Sequence, residues 1–495
     1  MGTEVDRFPA AGAEPGAVME LIGGWTAGSG PLYRRLADAL ERAVRDGSLP
    51  AGARLPAERA LAAALAVSRA TVVAAYDALR DRELAVSRRG SGTRIAGRPG
   101  VRPPPADGRV QGGQATAVLQ RLVDGPAAGG GTISLALADG AAAPEVRAAL
   151  EDVLRDDLDA LLAGGGYHPG GLPVLRAAVA DHFTRLGLRT EPGQILVTTG
   201  ATQGLALAAQ MYLRRGSVAV VEAPGWPGCF DTLRAPTGAR THGVPLDEDG
   251  LTAAGLAAAL AAGPALLYAM PTYQNPTGTL MSAARRQRVA DLVAEHRVPL
   301  VEDIAYDMRL DDRDEPPPIA AFARPGAEIL TLGSLTKSVW GGLRIGWVRG
   351  PAAAVERLGR FKAVADLGTP VLDQALAARL LPRVAELRAG RAPELRHRME
   401  HFAALLATAL PRWSWQRPDG GSALWIRLPD GVDARVYAQV ALRHGVEVVP
   451  GAQTDPGGGH DDFIRVPFTL PAERLPELVR RLRDAWAVLE RKGTE

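Results

Sequence analysis

Between about residue 131 and residue 490, short near-continuous apolar runs alternate with longer stretches rich in Ala, Leu and Arg. The runs fall at 194–199, 218–222, 265–270, 298–302 and 328–332. A strand with one wet face alternates apolar and polar residues, whereas a near-continuous run is buried on both faces. Such runs separated by helix-forming segments leave one economical solution, a mainly parallel sheet with helices on both sides. An α/β fold is therefore expected over 131–495.

The preceding chain has a different character. Residues 1–27 read as a loose tail, and 28–96 form a compact patterned block. Residues 97–130 carry Pro103, Pro104 and Pro105 among Gly and Gln, the composition of a flexible linker. A length of 495 residues is itself too great for one ordinary domain. With 46% hydrophobic and 23% charged residues the chain reads as a soluble globular protein, and a net charge of +2 means that any nucleic-acid contact must be local. The single cysteine, Cys229, excludes a disulfide framework and a Cys-based zinc site, and no metal site is expected. Met1 to Ala27 lacks a basic start and a long apolar run, so it is not read as a signal peptide. No segment reads as a membrane span, and a cytoplasmic location is expected.

In the N-terminal block Leu32, Leu36, Leu40 and Val44 recur every four residues, predicting a helix over 31–45. A second short helix is expected to open at 54–59, with Leu61 and Leu65 inward. Ser68 is suited to cap a third, on which Val72, Ala75, Tyr76 and Leu79 make the buried stripe. A β-hairpin with a basic, Gly-rich tip at Arg88, Arg89 and Gly90 follows. Three helices and a basic hairpin make a winged helix-turn-helix. The block holds twelve arginines against seven acidic residues, a local excess suited to phosphate. Residues 55–95, LPAERALAAALAVSRATVVAAYDALRDRELAVSRRGSGTRI, resemble the winged-helix domain of GntR-family regulators. The resemblance implies that the third helix enters the major groove of double-stranded DNA. Arg59, Arg69 and Thr71 then contact bases or phosphates, and the wing at Arg88, Arg89 and Gly90 touches the backbone or minor groove.

Lysine is almost absent downstream. Only Lys337, Lys362 and Lys492 occur. Lys337 follows Ser334 by three residues and precedes Arg344 by seven, an arrangement that can hold pyridoxal phosphate by amine, hydroxyl and guanidinium. Lys362 lies in an Arg/Ala-rich helical stretch without such neighbours. Other motifs fall at the ends of the apolar runs. Thr199-Gly200-Ala201-Thr202 opens a helix whose N–H groups point at an anion. Trp226 offers a flat ring to stack, Asn275 sits in a tight turn, and Asp303 precedes Tyr306 by three residues. A carboxylate at Asp303 can keep a pyridine nitrogen protonated. Arg465, in an apolar run, needs an anion such as a substrate carboxylate.

In this order the motifs resemble the fold-type-I aminotransferase domain, which implies a smaller C-terminal α/β subdomain beside the sheet. The resemblance assigns Lys337 to the Schiff base, Asp303 to the ring nitrogen, Asn275 and Tyr306 to the ring hydroxyl and Trp226 to stacking. It assigns the Gly200 turn with Ala201, Thr202, Ser334 and Arg344 to the phosphate, and Arg465 to an effector or substrate carboxylate. Tyr167, in a segment shortened relative to the usual motif, corresponds to the tyrosine that reaches the neighbouring subunit's phosphate. With the N-terminal block the chain resembles the MocR/GabR family of regulators. That implies a head-to-tail homodimer reading paired half-sites, with an amino compound or pyridoxal phosphate as effector. The alternative is an active aminotransferase that carries a DNA-binding module.

Overall fold

The computed structural model describes residues 14–26, 30–45, 48–50, 52–88, 92–96, 131–136 and 141–493. It divides into two compact units, 1–136 with 430–450 and 477–495, and 137–429 with 451–476. The expected linker, 97–130, and Arg89 and Gly90 of the wing lie outside the described residues.

The N-terminal part of the first unit holds four helices, α1 (Pro15–Leu21), α2 (Leu32–Arg45), α3 (Glu58–Ala64) and α4 (Arg69–Asp81), and the hairpin β1 (Ala85–Arg88) and β2 (Gly92–Ile95), among its described residues. Ser68 caps α4 as expected, its Oγ accepting from Thr71 N at 3.1 Å. Val72, Ala75, Tyr76 and Leu79 are buried against Leu36 and Leu40 of α2. Two expectations are corrected. The second helix begins at Glu58, because Leu55 N donates to Thr93 O of the hairpin at 2.9 Å and holds the chain extended. The loose tail is ordered over 14–26: Val18, Met19, Ile22 and Trp25 enter the same core as α2 and α4. Trp25 Nε1 donates to Gln439 Oε1 at 2.8 Å, so the indole is satisfied by a residue far along the chain. Arg443 donates to the Leu65 and Ala66 carbonyls at 2.8 and 3.1 Å, at the turn between α3 and α4. By such contacts 430–450 and 477–495, which the sequence groups with the C-terminal domain, pack with the N-terminal block.

The second unit holds an eight-stranded sheet of β3 (Ile195–Thr198), β4 (Val218–Ala223), β5 (Arg240–Asp247), β6 (Gly250–Leu251), β7 (Leu266–Ala269), β8 (Leu300–Asp303), β9 (Ile329–Ser334) and β10 (Gly346–Arg349), in the order β3-β10-β9-β8-β7-β4-β5-β6. The five central strands β9, β8, β7, β4 and β5 are parallel. Antiparallel β10 separates β3 from them, so β3 again points the same way. All five expected runs are strands of this sheet. One apolar cluster, with Val179, Phe183 and Val197, and another, with Leu205, Leu332 and Tyr268, cover its faces, as near-continuous apolar strands require. Strands Ser414–Trp415, Ala423–Arg427 and Phe463–Pro467 form a smaller antiparallel sheet. No single helix among the described residues is long and apolar enough to cross a membrane.

Candidate functional site

The carboxyl ends of β3, β4, β7, β8 and β9 share one edge of the sheet, the usual place for a ligand in an open α/β fold. After β3 the chain turns at Gly200 with φ +77° and opens the helix Ala201–Tyr212 without a side-chain cap. A Cβ on Gly200 would lie 2.8 Å from Arg344 Nη2. On Gly346 it would lie 2.7 Å from Ala201 N, so β10 passes this close only as glycine. Arg344 is itself left-handed (φ +51°), and its Nη2 sits 3.4 Å from Thr199 O with the guanidinium exposed. Thr202 is exposed on the first turn. Ser334, ending β9, donates to Ile345 O at 2.8 Å and accepts from Thr336 N at 3.1 Å. Backbone donors at a helix start, an arginine and two hydroxyls form a cup for a dianion.

Asp303 ends β8 and is buried. It accepts from Tyr268 Oη and Ala305 N, both at 2.9 Å. Both partners are neutral. Burial raises its pKa, partly offset by the Ala305 N–H and the Tyr268 hydroxyl. A protonated ring nitrogen would supply the positive charge this acid lacks. Nearby Glu222 accepts from Met270 N at 3.0 Å and Gln274 Nε2 at 3.1 Å. Burial pushes its carboxyl up to about 7 against those two donors, and the charge of Asp303 adds to the rise. An acid whose pKa rises on folding contributes stability below its unfolded value and loses it as pH climbs through the folded one. The apoprotein is thus expected to lose up to about 3 kcal/mol from Glu222 between roughly pH 4.5 and pH 7. Urea unfolding of wild type and Glu222→Gln across that window checks this. The variant's pH slope should be shallower, and equal slopes would contradict it.

Lys337 lies half-buried in the turn after β9. Tyr306 is buried, its hydroxyl bonded to Ser422 Oγ and accepting from Ser422 N at 3.2 Å. Burial pushes the Tyr306 phenol up, but Arg465 and Lys337 outweigh it and hold the pKa below the usual tyrosine value. One amine, one guanidinium and one phenol therefore converge. Asn275 is buried beyond β7 with no partner for its Oδ1, a polar edge left for a ligand. Trp226 follows β4, and its ring folds over Gly228, where a Cβ would meet Cζ2 at 2.3 Å. Tyr167 is 73% exposed. The buried carboxyl of Asp303, the amide oxygen of Asn275 without a partner, the dianion cup and the half-buried amine fit the ring nitrogen, ring hydroxyl, phosphate and aldehyde of pyridoxal phosphate. Sequence reasoning missed Tyr268, Ser422, Thr336, Gly228 and Gly346. Only Thr336, next to Lys337, stood inside a recognised motif.

In the other unit, Arg59 and Arg69 are exposed, and Thr71 lies on the first turn of α4. Arg69 Nη2 is 2.9 Å from Glu58 Oε2. Arg88 ends β1.

Fold and sites define a class: a helix-turn-helix reader joined to an aminotransferase-like domain. The family Aminotransferase class I and II matches residues 138–482, and the family Bacterial regulatory proteins, gntR family, matches 32–95. The uncharacterized HTH-type transcriptional regulator YisV of Bacillus subtilis is 30% identical over 461 residues, 89% of this chain and 92% of that one. The probable rhizopine catabolism regulatory protein MocR of Rhizobium meliloti is 28% identical over 488 residues, 94% of this chain and 95% of that one. The structure of LysN, an alpha-aminoadipate aminotransferase of Thermus thermophilus complexed with N-(5'-phosphopyridoxyl)-L-leucine, shares 30% identity at a TM-score of 0.66. It covers 77% of this chain and 96% of its own. The chain belongs to the MocR/GabR family of GntR-type transcriptional regulators, whose aminotransferase-like domain takes pyridoxal phosphate.

Proposed function

We propose that this regulator senses an amino compound, or pyridoxal phosphate itself, at Lys337 and changes its hold on DNA accordingly. The convergence of Lys337, Arg465 and Tyr306 at the sheet edge carries the reading. Pyridoxal phosphate supplies, when bound, an aldehyde that condenses with amines. Lys337 supplies the chain's own amine for that aldehyde, and a free amino compound competes for it. Asp303 keeps the ring nitrogen protonated, while Asn275 and Tyr306 bond the ring hydroxyl and Trp226 covers the ring. Gly200, Ala201, Thr202, Ser334 and Arg344 hold the phosphate. Arg465, buried beside Tyr306, takes an effector carboxylate as a bidentate pair. A ligand shifts such a switch only by binding its two states unequally.

The DNA side consists of Arg59, Arg69 and Thr71 with the wing at Arg88, Arg89 and Gly90, in a cytoplasmic protein. A 28–96 reader, a 97–130 linker and a sensor drawn from 131–495, of which 430–450 and 477–495 pack with the reader, complete the arrangement. A homodimer is supported by apolar side chains left in water on the sensor unit: Leu162 is 71% exposed, Tyr167 73%, Val364 89% and Leu367 56%. Tyr167 then reaches the partner's phosphate, and two linked readers take paired half-sites.

Titrating the holoprotein with a panel of amino acids and amines while following its visible absorbance tests the sensor. At least one is expected to change the spectrum, and a spectrum indifferent to all of them would contradict it. Asp303→Ala should weaken cofactor binding and remove that response, because the ring nitrogen loses its buried counter-charge. An unchanged amine response in Asp303→Ala would exclude the role.

A further inference from the structure

Lys362 has no place in the reading above. It lies on the helix Ala352–Asp366 with its side chain wholly out of solvent. A buried ammonium is costly unless paired and hydrogen-bonded. Its Nζ is 2.6 Å from Asp366 Oδ2 and donates to Gln203 Oε1 at 3.1 Å. Gln203 Nε2 donates to Asp366 Oδ2 at 2.7 Å. Gln203 Oε1 in turn accepts from Thr199 N at 2.8 Å. Thr199 is the residue before Gly200, and its carbonyl faces Arg344 Nη2 at 3.4 Å.

The chemistry of the three groups fixes a direction. An ammonium only donates, and a carboxylate only accepts. Between them the amide of Gln203 has one orientation, oxygen toward Lys362 and nitrogen toward Asp366. That orientation aims the oxygen at the Thr199 N–H. With the amide reversed, its NH2 would face both the ammonium and the Thr199 N–H, donor against donor. Asp366 Oδ1 also accepts from Gly368 N at 3.0 Å, which anchors the carboxylate. The triad therefore holds the peptide on which the Gly200 turn begins.

We propose that Lys362, through Asp366 and Gln203, is a positioning group for the phosphate cup, setting the turn at Thr199 and Gly200 that receives the cofactor's phosphate. The inference rests on the reading that this turn and Arg344 take the phosphate. It concerns affinity for the phosphate and leaves the aldehyde chemistry at Lys337 untouched.

The test compares two probes on the full-length apoprotein, pyridoxal phosphate and pyridoxal, which differ only in the phosphate. Their dissociation constants are measured by absorbance for wild type, Lys362→Met, Gln203→Leu and Arg344→Ala. Lys362→Met and Gln203→Leu should each weaken pyridoxal phosphate by about tenfold or more, as losing a charge-assisted hydrogen-bond arrangement does, and leave pyridoxal unchanged. Should Lys362→Met fail to fold, Gln203→Leu, which keeps the ion pair, decides alone. Equal weakening of both probes, or of neither, would overturn the proposal. Arg344→Ala separates the two levels. If it lowers the preference for the phosphorylated probe while the triad variants do not, only the triad's role is wrong. If it too leaves the preference unchanged, the cup is misplaced.

Discussion

Lys337→Ala is expected to abolish covalent attachment of the cofactor: no visible band of lysine-bound cofactor, and nothing fixed to the chain by borohydride. The loss should be complete because no other amine can substitute. Of the two remaining lysines, Lys362 has its ammonium held by Asp366 and Gln203 inside the protein. Lys492 lies three residues from the end of the chain. Of the three lysines, Lys337 is the one near enough to Tyr306 for its charge, with that of Arg465, to act on the phenol. The phosphate cup does not depend on the lysine, so the variant should still bind the cofactor reversibly. Retention of the band, with borohydride still fixing the cofactor to protein, would remove Lys337 from the site.

Arg69→Ala should reduce affinity for the native operator tenfold or more without altering the cofactor spectrum. The free protein holds Arg69 against Glu58 at 2.9 Å, with the guanidinium more than half exposed. An exposed pair of this kind contributes about 0–1 kcal/mol, whereas an arginine on a guanine edge contributes about 1–3 kcal/mol. DNA therefore wins the arginine from the glutamate, and the alanine variant loses the difference. By the same comparison, Glu58→Gln should bind DNA slightly more tightly, on all sequences alike. Gel-shift titrations of wild type and Arg69→Ala that superimpose would show that α4 does not read DNA in this way.

Five strands of the sheet were legible in the sequence because they are buried on both faces, and burial writes itself as near-continuous apolar runs; β5, whose residues are mostly exposed or half-buried, is not such a run and was not foreseen. The residues proposed for the cofactor stood out for a different reason. Gly200, Asn275, Asp303, Ser334 and Lys337 all sit at strand ends, where the turn that places the side chain is local in sequence. What escaped depends on distance along the chain. Tyr268 faces Asp303 across neighbouring strands, and Ser422 meets Tyr306 from 116 residues away. Nothing near either residue announces the partner. Helix α1 was read as tail because seven residues beginning Pro-Gly carry too little periodicity. Its order comes from Trp25 and Val18 entering the core of α2 and α4. Lys362 was set aside because its own helix offers no phosphate ligand; its partner Gln203 lies 159 residues earlier.

The most direct measurement is the affinity of the full-length holoprotein for the DNA upstream of its own gene, with and without an amine that changes its absorbance, in wild type and in Lys337→Ala. The amine should shift the affinity of wild type and leave that of Lys337→Ala unmoved, since the variant has no lysine-bound cofactor for the amine to displace. An equal shift in both proteins would place the sensing elsewhere. Tight binding by wild type that no such amine alters would show that the aminotransferase-like domain does not control the DNA-binding state.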